Sequence, residues 1–158
     1  MLSFNRATLS KSLSVSIAVG AYGTAFGAAA VAAGFSVLQA CLLSLLTFTG
    51  ASQFAVIGVL GAGGTALTGI ATASLLGFRN AIYSMIAKPI LNLRGIKKFI
   101  ATQITIDESI AVSTAEEVRG PEAMKHGFWL TGIGVFVFWN LFTLAGALGA
   151  QAIGDPAA

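Results

Sequence analysis

Between Lys11 and Arg79 the chain carries no charge at all: the 67 positions from Ser12 to Phe78 contain no Asp, Glu, Lys, Arg or His. About 18 to 20 apolar residues suffice to cross the hydrocarbon of a bilayer. A run more than three times that length cannot be buried in a soluble domain of 158 residues without excluding every charge from most of its surface. The sequence therefore reads as an integral membrane protein. Composition agrees, because 56% of residues are hydrophobic and only 9% charged, against about 25% charged in soluble domains.

Where such a chain places its few polar side chains is then informative. Most of those in the uncharged run are scattered singly, but Thr47, Thr49, Gly50, Ser52 and Gln53 fall together. An unpaired polar group in hydrocarbon costs several kcal/mol (roughly 2–7), so a cluster of this kind has to pack against protein or line a cavity. Two readings stand side by side: a patch that glues helices together, and a contact for a solute.

The first hydrophobic segment is expected over Leu13–Ala33, with Gly20, Gly23, Gly27 and Gly34 near one face and the Gly23/Gly27 pair as a helix contact. Ala30-Val31-Ala32 could mimic a signal-peptidase site, but the apolar stretch is long for a signal sequence and more uncharged chain follows. The second segment, Ser36–Leu60, carries the polar cluster, and a break near Gly50 is expected. Gly61-Ala62-Gly63-Gly64 marks a turn, and a third segment runs from Thr65 to about Ala87. Lys88, Arg94, Lys97 and Lys98 then form the strongest topological signal, with Pro89 limiting the helix. Arg6 and Lys11 put the N-terminus in the cytoplasm by the same rule. Both basic clusters cannot be cytoplasmic after three full crossings, so one segment near Gly50 or Gly61 is expected to be broken or re-entrant.

Phe99–Val118 reads as one amphipathic element, favoured as a span with Asp107 and Glu108 at membrane depth, where charge is costly and usually functional; the alternative is a surface helix. Residues 116–125 read as a hydrophilic loop turning at Gly120-Pro121 and closed by His126. Gly127–Ile153 is the last span, with Trp129 as interface anchor and Asn140 expected in an interhelical hydrogen bond. The expected fold is all-α: a polytopic transmembrane helical bundle of about four to five hydrophobic segments in a single domain, residues 1–158.

Catalysis finds no support. One His, one Cys, no metal-ligand spacing and no phosphate-binding glycine motif leave neither catalytic residues, metal site nor cofactor to expect. The net charge of +3 comes from basic residues in separate places, not from a stripe that would hold nucleic acid. A zwitterionic solute, by contrast, needs a donor, an acceptor and an apolar wall. Broken helices present backbone N–H groups at their N-termini, which Gly50, Ala51 and Ser52 would supply; Gln53 adds a donor and an acceptor. Arg79 suits a carboxylate, with a structural or topological role as the alternative, and Asp107 suits an ammonium group or a coupling proton.

Three blocks also carry a resemblance. Phe48–Phe54, F-T-G-A-S-Q-F, looks like the F-A-G-A-S-Q-F signature of the AzlC family, the large subunit of bacterial branched-chain amino-acid exporters. Gly77–Ser84, G-F-R-N-A-I-Y-S, and Thr105–Ser109, T-I-D-E-S, follow in the family's order. The family usually shows N-L-R-H and L-T-D-E there, so this chain departs at Gly77, Phe78 and Asn80 and keeps the arginine and the acidic pair. The resemblance implies an inner-membrane exporter of leucine, isoleucine and valine, with methionine as a further candidate; the expected mechanism is that of a multi-pass secondary transporter working by alternating access and driven by the proton gradient. The resemblance also implies a small AzlD-type membrane subunit as partner, with self-association left open. Substrate contacts would fall at Gly50, Ala51, Ser52, Gln53, Arg79 and Asn80, and proton coupling or an ammonium contact at Asp107 and Glu108. Family members continue with further hydrophobic segments, so the chain is expected to be the front part of such a protein. A selective channel and a non-transporting scaffold are the competing functions.

Overall fold

A computed structural model describes residues 6–154. Parts of the polar N-terminal segment and of the Gly154-Asp155-Pro156 ending lie outside the described residues. Among those described, all regular structure is helical: α1 Arg6–Ala32, α2 Val37–Leu46, α3 Ala51–Gly61, α4 Ala66–Leu91, α5 Ile96–Gln103, α6 Asp107–Ala115 and α7 Pro121–Gly154, with one 3-10 turn at Glu117–Arg119. Two of them, α1 and α7, are long and apolar enough to cross a membrane. At 10 and 11 residues, α2 and α3 reach only ~15–17 Å each, half of the ~30 Å hydrocarbon layer.

The burial pattern inverts that of a water-soluble protein. On α1, Thr8, Ser12 and Ser16 are fully buried, whereas Leu9, Leu13 and Ile17 are 40–49% exposed. On α7, Thr131 and Thr143 are sealed inside while Ile133, Val137, Leu141 and Leu148 face out. Polar side chains that turn inward and large apolar ones that turn outward fit a solvent of lipid, in which only the polar groups need shelter.

Local signals set the helix ends. A capping box starts α2: the Ser36 hydroxyl accepts from the Gln39 amide (3.2 Å) and the Gln39 side chain accepts from the Ser36 amide (2.8 Å). Pro89 lies inside the last turn of α4, and the helix ends at Leu91, where Asn92 takes a positive φ of 45° and its amide bonds back to the Lys88 carbonyl at 3.0 Å. The chain therefore continues slightly past the expected third segment.

The element expected over Phe99–Val118 is instead two short helices. Between α5 and α6 the Thr105 hydroxyl donates to the Ala101 carbonyl (2.7 Å) and Ile106 is extended, its amide capped by the Ser109 hydroxyl at 3.0 Å. A hydroxyl three residues ahead thus competes with helix continuation. Asp107 and Glu108 consequently open a helix, where their charge complements its positive end, and do not sit midway along a span. The loop expected over 116–125 is shorter too. Gly120 takes φ +91°, Pro121 occupies the first helical position, and Glu122, Lys125 and His126 belong to α7.

The described chain divides into two compact units. One comprises residues up to Ala18 together with Arg79–Phe136; the other comprises Val19–Phe78 and the residues from Val137 on. The first packs Ala87, Leu91, Ala101, Ile104, Ile110 and Phe128 into a core. Gly127 and Gly132 let α7 approach the Val112 and Ile104 carbonyls, at 3.1 and 2.9 Å from where a Cβ would be. In the second unit α1 and α7 meet backbone to backbone. A Cβ on Gly23 would be driven into the Trp139 carbonyl, and one on Gly27 into that of Thr143. The GxxxG surface of the sequence is thus real. Gly34, expected on the same face, lies beyond the end of α1 and touches nothing within 4 Å.

Candidate functional site

In the second unit the polar cluster of the uncharged run becomes an interruption between α2 and α3. The Thr47 hydroxyl donates to the Leu43 carbonyl (2.7 Å), which terminates α2, and the Thr49 hydroxyl to the Thr47 carbonyl (3.1 Å). Gly50 then adopts φ 59°, ψ −87°, a conformation costly for any residue with a Cβ. Its carbonyl accepts the Gln53 and Phe54 amides at 3.0 and 3.2 Å, and α3 starts with no side-chain cap. Its first amides are therefore available as donors.

Around this helix start, three buried side chains keep polar atoms without a partner. Gln53 is 0% exposed. Its amide nitrogen donates to the Leu43 and Ser44 carbonyls at 3.2 and 3.3 Å. Two carbonyl acceptors fix which end of the amide is NH2, because a flipped amide would set oxygen against oxygen. Gln53 Oε1 consequently remains an acceptor without a partner, as do the Ser52 hydroxyl and the Trp139 indole N–H as donors. Buried polar groups are ordinarily satisfied, and each unmade bond costs about 1–3 kcal/mol. Trp139 reaches Gly50, its ring edge 3.8 Å from where a Cβ would sit. Phe26, Phe54 and Trp139 form an aromatic wall with centroid separations of 5.5, 6.2 and 6.4 Å. Behind it, the Ser44 hydroxyl lies 2.7 Å from the Asn140 side-chain oxygen and 3.3 Å from the Thr143 hydroxyl, so Asn140 makes the interhelical bond expected of it.

The remaining candidates lie in the first unit. Arg79 and Asp107 form an ion pair at 2.7 Å, the two side chains 37% and 39% exposed. Each thus has the other as a partner, whereas the sequence suits Arg79 to a carboxylate or a structural role and Asp107 to an ammonium group or a coupling proton. Asn80 follows on α4 with a buried side-chain oxygen that has no partner, and Glu108 shares the first turn of α6 with Asp107. Gly50, Ala51, Ser52 and Gln53 are brought together with Trp139 in one unit, and Arg79, Asn80, Asp107 and Glu108 in the other.

The match to known families settles what kind of chain this is. The model of the family described as AzlC protein matches residues 14–153. The chain belongs to the AzlC family. A curated AzlC-type relative, inner membrane protein YgaZ of Escherichia coli (strain K12), is 30% identical over 128 residues, 80% of this chain and 51% of that protein. The chain therefore spans about half the length of the curated relative it matches. No solved structure matches.

One charged centre of this AzlC chain escaped the sequence reading. Glu116, expected in a hydrophilic loop, is 1% exposed. Its carboxylate takes Lys11 at 2.6 Å, Arg119 at 2.9 Å and the Thr8 hydroxyl at 3.0 Å. The Lys11 ammonium holds this carboxyl below the usual glutamate range, helped by Thr8 and Arg119, while burial pushes the other way and loses. Below it on α1, the Thr131 hydroxyl donates to Ser12 at 3.0 Å, and the Ser16 hydroxyl lies 3.5 Å from the Thr131 carbonyl. The signal was legible as Thr8, Ser12 and Ser16 at four-residue spacing, one helical face. Trp139, which the sequence reading did not single out, likewise belongs to the break, beside Gly50.

Proposed function

We propose that this AzlC chain is the large-subunit portion of a multi-pass inner-membrane secondary transporter that exports branched-chain amino acids, with leucine, isoleucine and valine as substrates and methionine as a further one. The observation that carries the reading is the interrupted α2–α3 helix, whose start gathers unpartnered Ser52 Oγ, Gln53 Oε1 and Trp139 Nε1 against an aromatic wall. Each atom has a complement on a free amino acid. The substrate carboxylate accepts from the α3 amides, the Ser52 hydroxyl and the indole N–H; its ammonium donates to Gln53 Oε1; its branched side chain lies on Phe26 and Phe54. Interrupted helices are how transporters hold small zwitterions at membrane depth.

Coupling falls to the Arg79–Asp107 pair. Protonating Asp107 cancels one charge of the pair and weakens its bond to Arg79, so one proton changes a contact between α4 and α6. In this reading the N-terminus and the four cations from Lys88 to Lys98 are cytoplasmic, with α2 and α3 entering and leaving the membrane on the same side. A small membrane subunit of AzlD type completes the transporter, which does no enzymatic chemistry.

The test is efflux of isoleucine, leucine and valine from dipeptide-loaded cells expressing the chain with an AzlD-type subunit. Efflux above an empty vector that is lost in Gln53→Ala and in Asp107→Asn, at equal membrane abundance, supports the reading. Flux that ignores the proton gradient and does not saturate indicates a channel. Variants that change assembly and never flux indicate a scaffold.

A further inference from the structure

The first unit contains a recess that shares no lining residue with the start of α3. Asn92, with its positive φ, ends α4 and turns the chain back so that α5 lies beside the last turns of that helix. Between them opens a cleft of about 310 Å³, at the lower end of the ~300–1,000 Å³ of small-molecule sites. Lys88 and Lys98 stand on its two sides, Asn92 and Thr102 supply further polar groups, and Met85 and Leu93 contribute apolar wall. No carboxylate lines it, so nothing acidic in its lining offsets the two lysine charges. The Thr102 hydroxyl donates to the Lys98 carbonyl at 2.9 Å, so its oxygen retains acceptor capacity.

The surroundings narrow the ligand. Helix α5 presents Ile96 and Phe99, 71% and 74% exposed, beside Lys97 and Lys98. A short helix with an exposed apolar face flanked by lysines lies in the plane of a membrane surface, where its apolar side enters the acyl boundary and its cations meet headgroups. On α4 the exposed Ile82, Met85 and Ile86 continue the apolar surface away from the cleft. A ligand that fills the cleft therefore needs an anion at the lysine end and a hydrocarbon tail along α4. A soluble phosphate has the first and lacks the second.

The structure assigns this cleft to the headgroup of an anionic phospholipid, held by Lys88 and Lys98 with its acyl chains along α4. Basic recesses at the membrane surface recognise such headgroups, each cation adding roughly 5-fold in affinity.

The test titrates the full chain, purified in detergent and delipidated, with phosphatidylglycerol or phosphatidylethanolamine of identical acyl chains, and counts bound lipid by native mass spectrometry. The wild type retains phosphatidylglycerol in preference. Lys88→Gln/Lys98→Gln loses roughly 30-fold in affinity for it and leaves phosphatidylethanolamine unchanged. Arg94→Gln/Lys97→Gln, with the same loss of charge outside the cleft, loses less than about 3-fold. Each single variant, Lys88→Gln or Lys98→Gln, loses roughly 5-fold, which decides the matter if the double variant does not fold. Equal losses in the two double variants, no preference between the lipids, or displacement by millimolar inorganic phosphate would each overturn the assignment, the last by making the cleft a site for a free anion.

Discussion

Glu116→Gln isolates the charge of the centre between α1 and the α6–α7 connection while keeping its shape. The glutamine still offers the Thr8 hydroxyl an acceptor, but Lys11 and Arg119 lose their anion at 2.6 and 2.9 Å. A fully buried pair broken on one side costs about 3–5 kcal/mol. Here the two cations are 43% and 46% exposed, so water re-solvates them, and each pair belongs near the range of about 0.2–1 kcal/mol for exposed ones. The sum, raised somewhat because the carboxylate itself is buried, is about 1–2 kcal/mol. With roughly 2–4 °C per kcal/mol for a chain of this size, the melting temperature at pH 7.5 is expected to fall by roughly 2–8 °C. The pH dependence supplies the sign. A carboxyl whose pKa is lowered by folding stabilises above its unfolded pKa, and that contribution is lost as pH falls through the folded value. The gap between wild type and Glu116→Gln should therefore be full above about pH 4.3 and close in more acid buffer. Thermal melting in detergent across that range reads both. A variant as stable as wild type at pH 7.5, or a gap that does not close in acid, would refute the reasoning.

Other perturbations read the rest of the fold. Gly27→Ala drives a Cβ into the Thr143 carbonyl with the Ala147 amide 2.8 Å away, and overpacking against backbone should cost about 1–3 kcal/mol; Gly149→Ala, with nothing within 4 Å, should be neutral or stabilising by about 0.5–1 kcal/mol in the same melting assay. Gly50→Val forces a β-branched residue to φ 59° and should lose about 1–3 kcal/mol together with efflux. Ser44→Ala removes the bridge to Asn140 and Thr143 and should cost about 0.6 kcal/mol, the average for a hydrogen bond between membrane helices.

Which parts of this were readable beforehand follows from how local their causes are. The break at Gly50 was visible because its cause is concentrated in eight residues: a glycine and hydroxyls that bond their own backbone. The close contact of α1 with α7 was half visible, since GxxxG announces a tight approach and not the partner. The division of residues 99–118 into α5 and α6 was hidden, because Ile104, Thr105 and Ile106 keep a helical apolar pattern and the Ser109 hydroxyl that ends it acts only in the folded geometry. Arg79 and Asp107 were each singled out, yet their pairing joins residues 28 positions apart, and no spacing rule reaches that far. Glu116 was misjudged for the converse reason. Its neighbours in sequence are polar and imply a wet loop, whereas its neighbours in space are Thr8 and Lys11, more than 100 positions away.

The central claim, that the start of α3 holds a free amino acid through Gln53 and Trp139, is tested most directly by ligand-dependent melting of the purified chain with isoleucine. Saturating isoleucine at about 100 times its dissociation constant should stabilise the wild type by about 2.7 kcal/mol. Trp139→Phe, which keeps the aromatic wall and removes the unpartnered N–H, should melt no lower than wild type without ligand; Gln53→Leu also removes the amide bonds to the Leu43 and Ser44 carbonyls and should be less stable by about 1–3 kcal/mol; both should lose the isoleucine shift. An isoleucine shift that persists undiminished in both variants would contradict the account.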